Sequence, residues 1–266
     1  MKALFRALLA GAALAAACAS PGSEHVDVHG NGRPPDPPRV WTLERTPADE
    51  AVAAELEPVL AGAVADVERF FGGSFSKFRM RIDPDRAAFD ASFPPEWGLS
   101  RTECWMVASG VADHLELLSP RVWRTEACEH DPADSKHVRD LLAHELVHVY
   151  HGQHNPSPDF SDVTGIDWFV EGLAVLASGQ LESGELASAR EALEKGQGPR
   201  VLADAWKGKY RYGISGSLVA FVEHEVGRKE LVDMLNVTKL DLLLAHVGKS
   251  EEELLDAWRA WVLGSP

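Results

Sequence analysis

The chain has 266 residues, of which 45% are hydrophobic and 8% aromatic, ample for one well-packed globular unit in one or two lobes. A charged fraction of 25% is ordinary for a soluble protein. The net charge of −15 argues against a nucleic-acid partner, whose phosphates need a face rich in Lys and Arg.

The chain opens with a short basic stretch containing Lys2 and Arg6, and Ala7 to Ala17 is an uncharged Ala/Leu-rich run. That is the layout of a secretory signal over residues 1–17, too short to span a bilayer as a helix. Its end, Leu14-Ala15-Ala16-Ala17-Cys18-Ala19-Ser20, resembles a bacterial lipoprotein cleavage box with Cys18 as the lipidated residue, although Ala15 stands where such boxes usually carry Leu. The expected address is the cell envelope, with membrane contact only through that anchor. Ordinary cleavage and secretion is the alternative. Three cysteines are present. An odd count in an exported protein leaves one without a partner; lipidated Cys18 accounts for it, so Cys104 and Cys128 can pair and stabilise the fold by about 3 kcal/mol.

Residues 18–39 form a tether rich in Pro and Gly, with almost nothing to bury. The folded domain is expected over 40–266, with a sheet-bearing lobe at 40–130 and a helical lobe at 131–266. Ala48 to Phe71 carries apolar residues at helical spacing and ends at Gly72-Gly73, with Pro58 expected to bend it or start a second helix. Phe78, Met80 and Ile82 alternate with Lys77, Arg79 and Arg81, the pattern of a strand with one wet face. Val107 to Val111 and Leu115 to Leu118 read as two further strands. Helices follow to the end, the last capped by Ser250 and Glu253. The order predicts an α+β fold with a small antiparallel sheet.

Within the helix predicted over Lys136 to Gln153, for which Asp134 or Ser135 is the expected N-cap, His144 and His148 are four residues apart and leave the same face one turn apart. Two imidazoles so placed can bind one Zn²⁺, and Glu145 adjoins the first of them where a general base must sit. His224-Glu225 begins the same way, but Arg228 occupies the second ligand's place. A second feature strengthens the first. Asp167 to Ala177 is apolar on nearly all sides, with one carboxylate, Glu171, in its middle. A buried carboxylate needs a charge partner, and a zinc ion held by His144 and His148 supplies one.

His144-Glu145-x-x-His148 followed by Trp168-x-x-Glu171-Gly172-x-Ala174 resembles the gluzincin metallopeptidases, above all the small bacterial peptidase MA-like proteins. The likeness covers about residues 100–225. It implies a zincin-like fold, a peptide or protein substrate, and a His144, His148 and Glu171 ligand set. It also implies a Tyr that steadies the reaction's oxyanion: Tyr212 is the first choice and Tyr210 the second, just ahead of a helix predicted over Leu218 to Val226. Two departures stand out. Val175 replaces the Asp that thermolysin-type enzymes carry four residues after the ligand Glu, and no Gly-x-Met-Glu-Asn-type exopeptidase motif precedes the zinc helix.

Two other readings remain open at this level. His154 stands in the third-ligand position of the metzincin pattern, but His151 occupies the place of its turning glycine and Gly152 comes one residue late. On the gluzincin reading, His151 and His154 line the helix end or solvent. The other reading is a non-catalytic binding lipoprotein with a structural zinc, against which Glu145 argues. A monomer is expected.

Overall fold

The computed structural model describes residues 39–94 and 101–264. The expected signal segment, nearly all of the tether, and Cys18 lie outside these. Strand β1 (Trp41–Glu44) leads into helix α1 (Glu50–Phe71), then β2 (Phe78–Asp83) and the short α2 (Arg86–Ala91). Strands β3 (Ala108–Val111) and β4 (His114–Leu118) form a hairpin, followed by a turn of helix, α3 (Trp123–Glu126). The remainder is helical: α4 (Ser135–His154), α5 (Asp167–Ala177), α6 (Leu186–Glu194), α7 (Arg211–Val226), α8 (Arg228–Asp233), α9 (Leu240–Val247) and α10 (Glu251–Gly264). The architecture is mixed, a small sheet followed by a helical half, as an α+β order requires.

Helix α1 is one element with Pro58 inside it, rather than two. It stops at Gly72, whose φ of 73° suits a residue without Cβ and whose N–H bonds back to Glu68. The sheet is not purely antiparallel, which corrects the expectation. Its order is β1-β2-β4-β3, with β1 and β4 parallel to β2 and only β3 antiparallel to β4. The reason is topological: α1 carries the chain back across the sheet, so β2 re-enters in the direction of β1. β1 itself, four residues long, is too short to show a strand pattern in sequence.

Phe78, Met80, Ile82, Leu115 and Leu117 are buried on one sheet face, in a core shared with Leu60, Val64 and Val67 of α1 and Leu142, Leu146 and Val149 of α4. That packing presses α4 against β3. A Cβ on Gly110 would stand 2.2 Å from the Glu145 carbonyl oxygen, so only glycine permits the approach. α5 packs on α7 equally closely, since a Cβ on Gly172 would meet the Ser215 carbonyl oxygen at 2.2 Å.

Cys104 and Cys128 form a disulfide, with Cα atoms 5.3 Å apart. The Ser250 and Glu253 capping box is formed: Ser250 N donates to Glu253 Oε2 at 2.8 Å, and Glu253 N to Ser250 Oγ at 3.3 Å. No helix among the described residues is long and apolar enough to cross a membrane.

The other sheet face carries a charged ladder of Arg79, Arg81 and Glu116, with Asp83 at its end. Asp83 is 2% exposed and its Oδ2 has no hydrogen-bond partner among the described residues. Burial pushes its carboxyl up to about 7, against the pull of Arg81 at 3.1 Å. In the unfolded chain the group titrates near 3.9. The folded state therefore holds a proton that the unfolded state has released, so this group's stabilisation is complete below about pH 4 and lost as pH rises through about 7. Asp83→Asn is expected to be more stable than the parent at pH 8 by about 1–3 kcal/mol in urea unfolding, with the gap closing toward pH 4. A less stable variant at pH 8 would mean that the Arg81 pair outweighs burial.

Candidate metal centre

Helix α4 begins where Asp134 accepts from the backbone N–H of His137 at 3.0 Å, as expected of an N-cap. Four residues between His144 and His148 bring their side chains to one face, both rings buried and 4.9 Å apart between centroids. Glu171 comes from the middle of α5, with its side chain about a quarter exposed and turned toward the same point. His144 Nε2 and His148 Nε2 are 3.2 Å apart, and they lie 3.5 and 3.6 Å from Glu171 Oε2. Among the described residues this is the one group of three or more His, Cys, Asp or Glu side chains able to hold a metal ion.

The spacing tests the fit. Ligand atoms on a tetrahedral ion at 2.0–2.1 Å stand about 3.3 Å from one another, close to the three separations found. The protonation pattern agrees. His144 Nδ1 lies 2.8 Å from Gln180 Oε1, which can only accept, so Nδ1 carries the hydrogen and Nε2 turns a lone pair to the cluster. Burial alone would raise the Glu171 carboxyl, but His148 and His144 outweigh it and hold the group well below the usual carboxylate range. Burial lowers His144, and hydrogen bonding to Glu171 with the charges of Glu145 and Glu171 reverses this, so the ring is raised. The charge of Glu171 is thus stabilised at the point that both Nε2 atoms face, and a cation bound there would take the place of the proton that Glu171 draws onto His144.

Glu145 stands beside the cluster without joining it. Its Oε2 accepts from Gly110 N–H at 2.8 Å, and Oε1 has no partner among the described residues. Gly110 thus has two roles: its bare Cα admits α4, and its amide aims the carboxylate. Neither Gly110 nor Gln180 is visible as a site residue in sequence, because each acts through contacts distant along the chain.

Two cavities, of 370 and 610 Å³, meet at the cluster and share Trp105, Met106, Ala108, His144, Glu145 and Tyr212. Their walls come from β3 and the loop before it on one side and from α4, α5 and α7 on the other. Tyr212 lies in the first turn of α7, with its ring 6.2 Å from that of His144 and edge-on to Trp206 at 4.8 Å. The helix starts seven residues earlier than expected. Gly213 and Gly216 read as loop in sequence, yet they are helical glycines where Glu185 and Val175 come close. Burial, then the charge of Glu171, pushes the Tyr212 hydroxyl up to about 12, so it keeps its proton. Tyr210 is turned away, donating to Glu191 Oε1 at 3.0 Å.

His154 does not reach the cluster. It is exposed, its ring stacked 4.3 Å from Tyr150, with Nδ1 2.8 Å from the Tyr150 carbonyl oxygen. α4 stays helical through His154 because no glycine at 151 turns the chain back, so six residues rotate the side chain by about 240° from His148. Of the two positions expected for His151, helix end or solvent, it takes the first: it sits in the last turn of α4, fully buried, 4.9 Å from the Phe160 ring, and burial pushes it down to about 3.

No family model matches the chain, and no curated protein matches it either.

Proposed function

We propose that this protein is a zinc metallopeptidase of the gluzincin kind on a zincin-like scaffold, exported and anchored through Cys18. The observation that carries this reading is the meeting of two buried imidazoles and a carboxylate at 3.2–3.6 Å, with a separate carboxylate, Glu145, held beside them by Gly110. A His₂Glu set suits zinc and leaves a coordination position open, which a closed structural site does not. That favours an enzyme over a purely structural ion.

When bound, zinc supplies Lewis acidity, polarising a carbonyl and bringing the pKa of water toward about 7. The chain's residues divide the remaining work. Glu145 Oε1, without a hydrogen-bond partner among the described residues, takes a proton from the attacking water and delivers it to the leaving nitrogen as the C–N bond breaks. Tyr212, a phenol at neutral pH, donates to the oxyanion. β3 is an edge strand, and its pairing with β4 turns the N–H and C=O of Ala108 and the C=O of Gly110 outward. An extended peptide can add there as a further strand, its scissile bond carried past Glu145.

Elemental analysis of the purified protein is expected to give about one zinc per chain, with hydrolysis of members of a mixed peptide library. His144→Ala or His148→Ala should lose both. Stoichiometric zinc in the double variant would remove the basis of the assignment.

A further inference from the structure

The larger cavity has a cation for which the chemistry above has no use. Arg211, first residue of α7, is half-buried with its guanidinium carbon 5.1 Å from the Trp105 ring centroid, 5.4 Å from Trp206 and 5.0 Å from Tyr212. Among the described residues no carboxylate pairs with it. Of the four acids lining the same cavity, none is ion-paired with Arg211: Asp140 is held by Lys136, Glu145 accepts from Gly110 N–H, burial pushes the Glu185 carboxyl up, and Glu129 makes no salt bridge among the described residues. Lys209 stands on the same wall, its Nζ 4.9 Å from the Tyr210 ring.

A guanidinium among rings is stripped of some of its water, which strengthens any ion pair it makes. Its five N–H donors lie in the plane of the group, a fork that matches a carboxylate. Arg211 lines the cavity that also holds Glu145, His144 and Tyr212, so a group bound to it belongs to the molecule being processed.

We propose that Arg211 is a specificity residue that receives a carboxylate of the peptide substrate, either an Asp or Glu side chain or a free C-terminus. The proposal rests on the metallopeptidase reading and adds to it a substrate class.

The test uses matched short peptides that differ in one group: Glu against Gln, Asp against Asn, or a C-terminal acid against its amide. Binding to full-length Glu145→Gln protein is followed by indole fluorescence, since Trp105 and Trp206 flank the guanidinium, and hydrolysis by the parent protein is measured in parallel. The carboxylate member of at least one pair is expected to bind about 10–100-fold more tightly, the worth of a charge-assisted hydrogen bond. Arg211→Met should bring that ratio to within about threefold of unity, with Arg211→Lys between, because lysine keeps the charge and loses the fork. Which pair responds tells side chain from chain end. Equal affinities in every pair, no binding of either member, or a ratio that survives Arg211→Met would each overturn the proposal. Selective, Arg211-dependent binding without hydrolysis would uphold the subsite and reject the peptidase reading.

Discussion

Glu145→Gln is expected to lower turnover of a cleaved peptide by about 10²–10⁴-fold, the usual contribution of a general base, while the protein keeps about one zinc per chain. The two effects separate because of how the side chain is held. Oε2 accepts from Gly110 N–H at 2.8 Å, and glutamine keeps an oxygen to accept that bond. The substituted amide then occupies the other position, where it cannot take up a proton. His144, His148 and Glu171 are untouched, so metal content should not move. Peptide turnover and zinc analysis on the same preparation check both halves. Turnover within about tenfold of the parent would exclude Glu145 as the base, whereas zinc lost with activity would mean that the carboxylate helps hold the ion.

The parts of this site carried by single helices are legible in sequence. His144, Glu145 and His148 share one helix, and periodicity alone fixes their relative directions. Glu171 announces itself as a lone carboxylate in an apolar run. What joins the two helices is less visible: Gln180 reaches His144 from beyond α5, and Gly110 reaches Glu145 from β3, 35 residues away. A residue of no chemical character, placed by the fold against a distant backbone, leaves no periodic mark. The sheet is obscured for a related reason. β1 has four residues, and its parallel pairing with β2 depends on α1 crossing between them rather than on any pattern within the strands. The start of α7 is hidden by its glycines, which local propensity reads as loop and close helix packing requires.

Glu171→Gln and His154→Ala should have opposite consequences for the metal. Glu171 Oε2 lies 3.5 and 3.6 Å from the two imidazole nitrogens. Replacing a ligand carboxylate with a neutral amide removes the negative charge that a dication needs. Loss of a group that merely orients a ligand already weakens metal binding by 10–100-fold, so loss of this ligand is expected to cost at least about 100-fold. His154 is exposed and stacked on Tyr150, so its removal should leave zinc affinity within about threefold. Folding needs a check by circular dichroism, because a poorly paired amide at this largely covered position costs up to about 1–3 kcal/mol. Competitive zinc titration of the folded variants against a chelator decides between the ligand sets. The metzincin alternative requires the reverse order: zinc lost on His154→Ala and kept on Glu171→Gln. For His154 to bind, α4 would have to unwind after His148, exposing His151, which is now buried against Phe160 and Phe169. A 100-fold loss confined to the Glu171 variant therefore tests the ligand and the uninterrupted helix together.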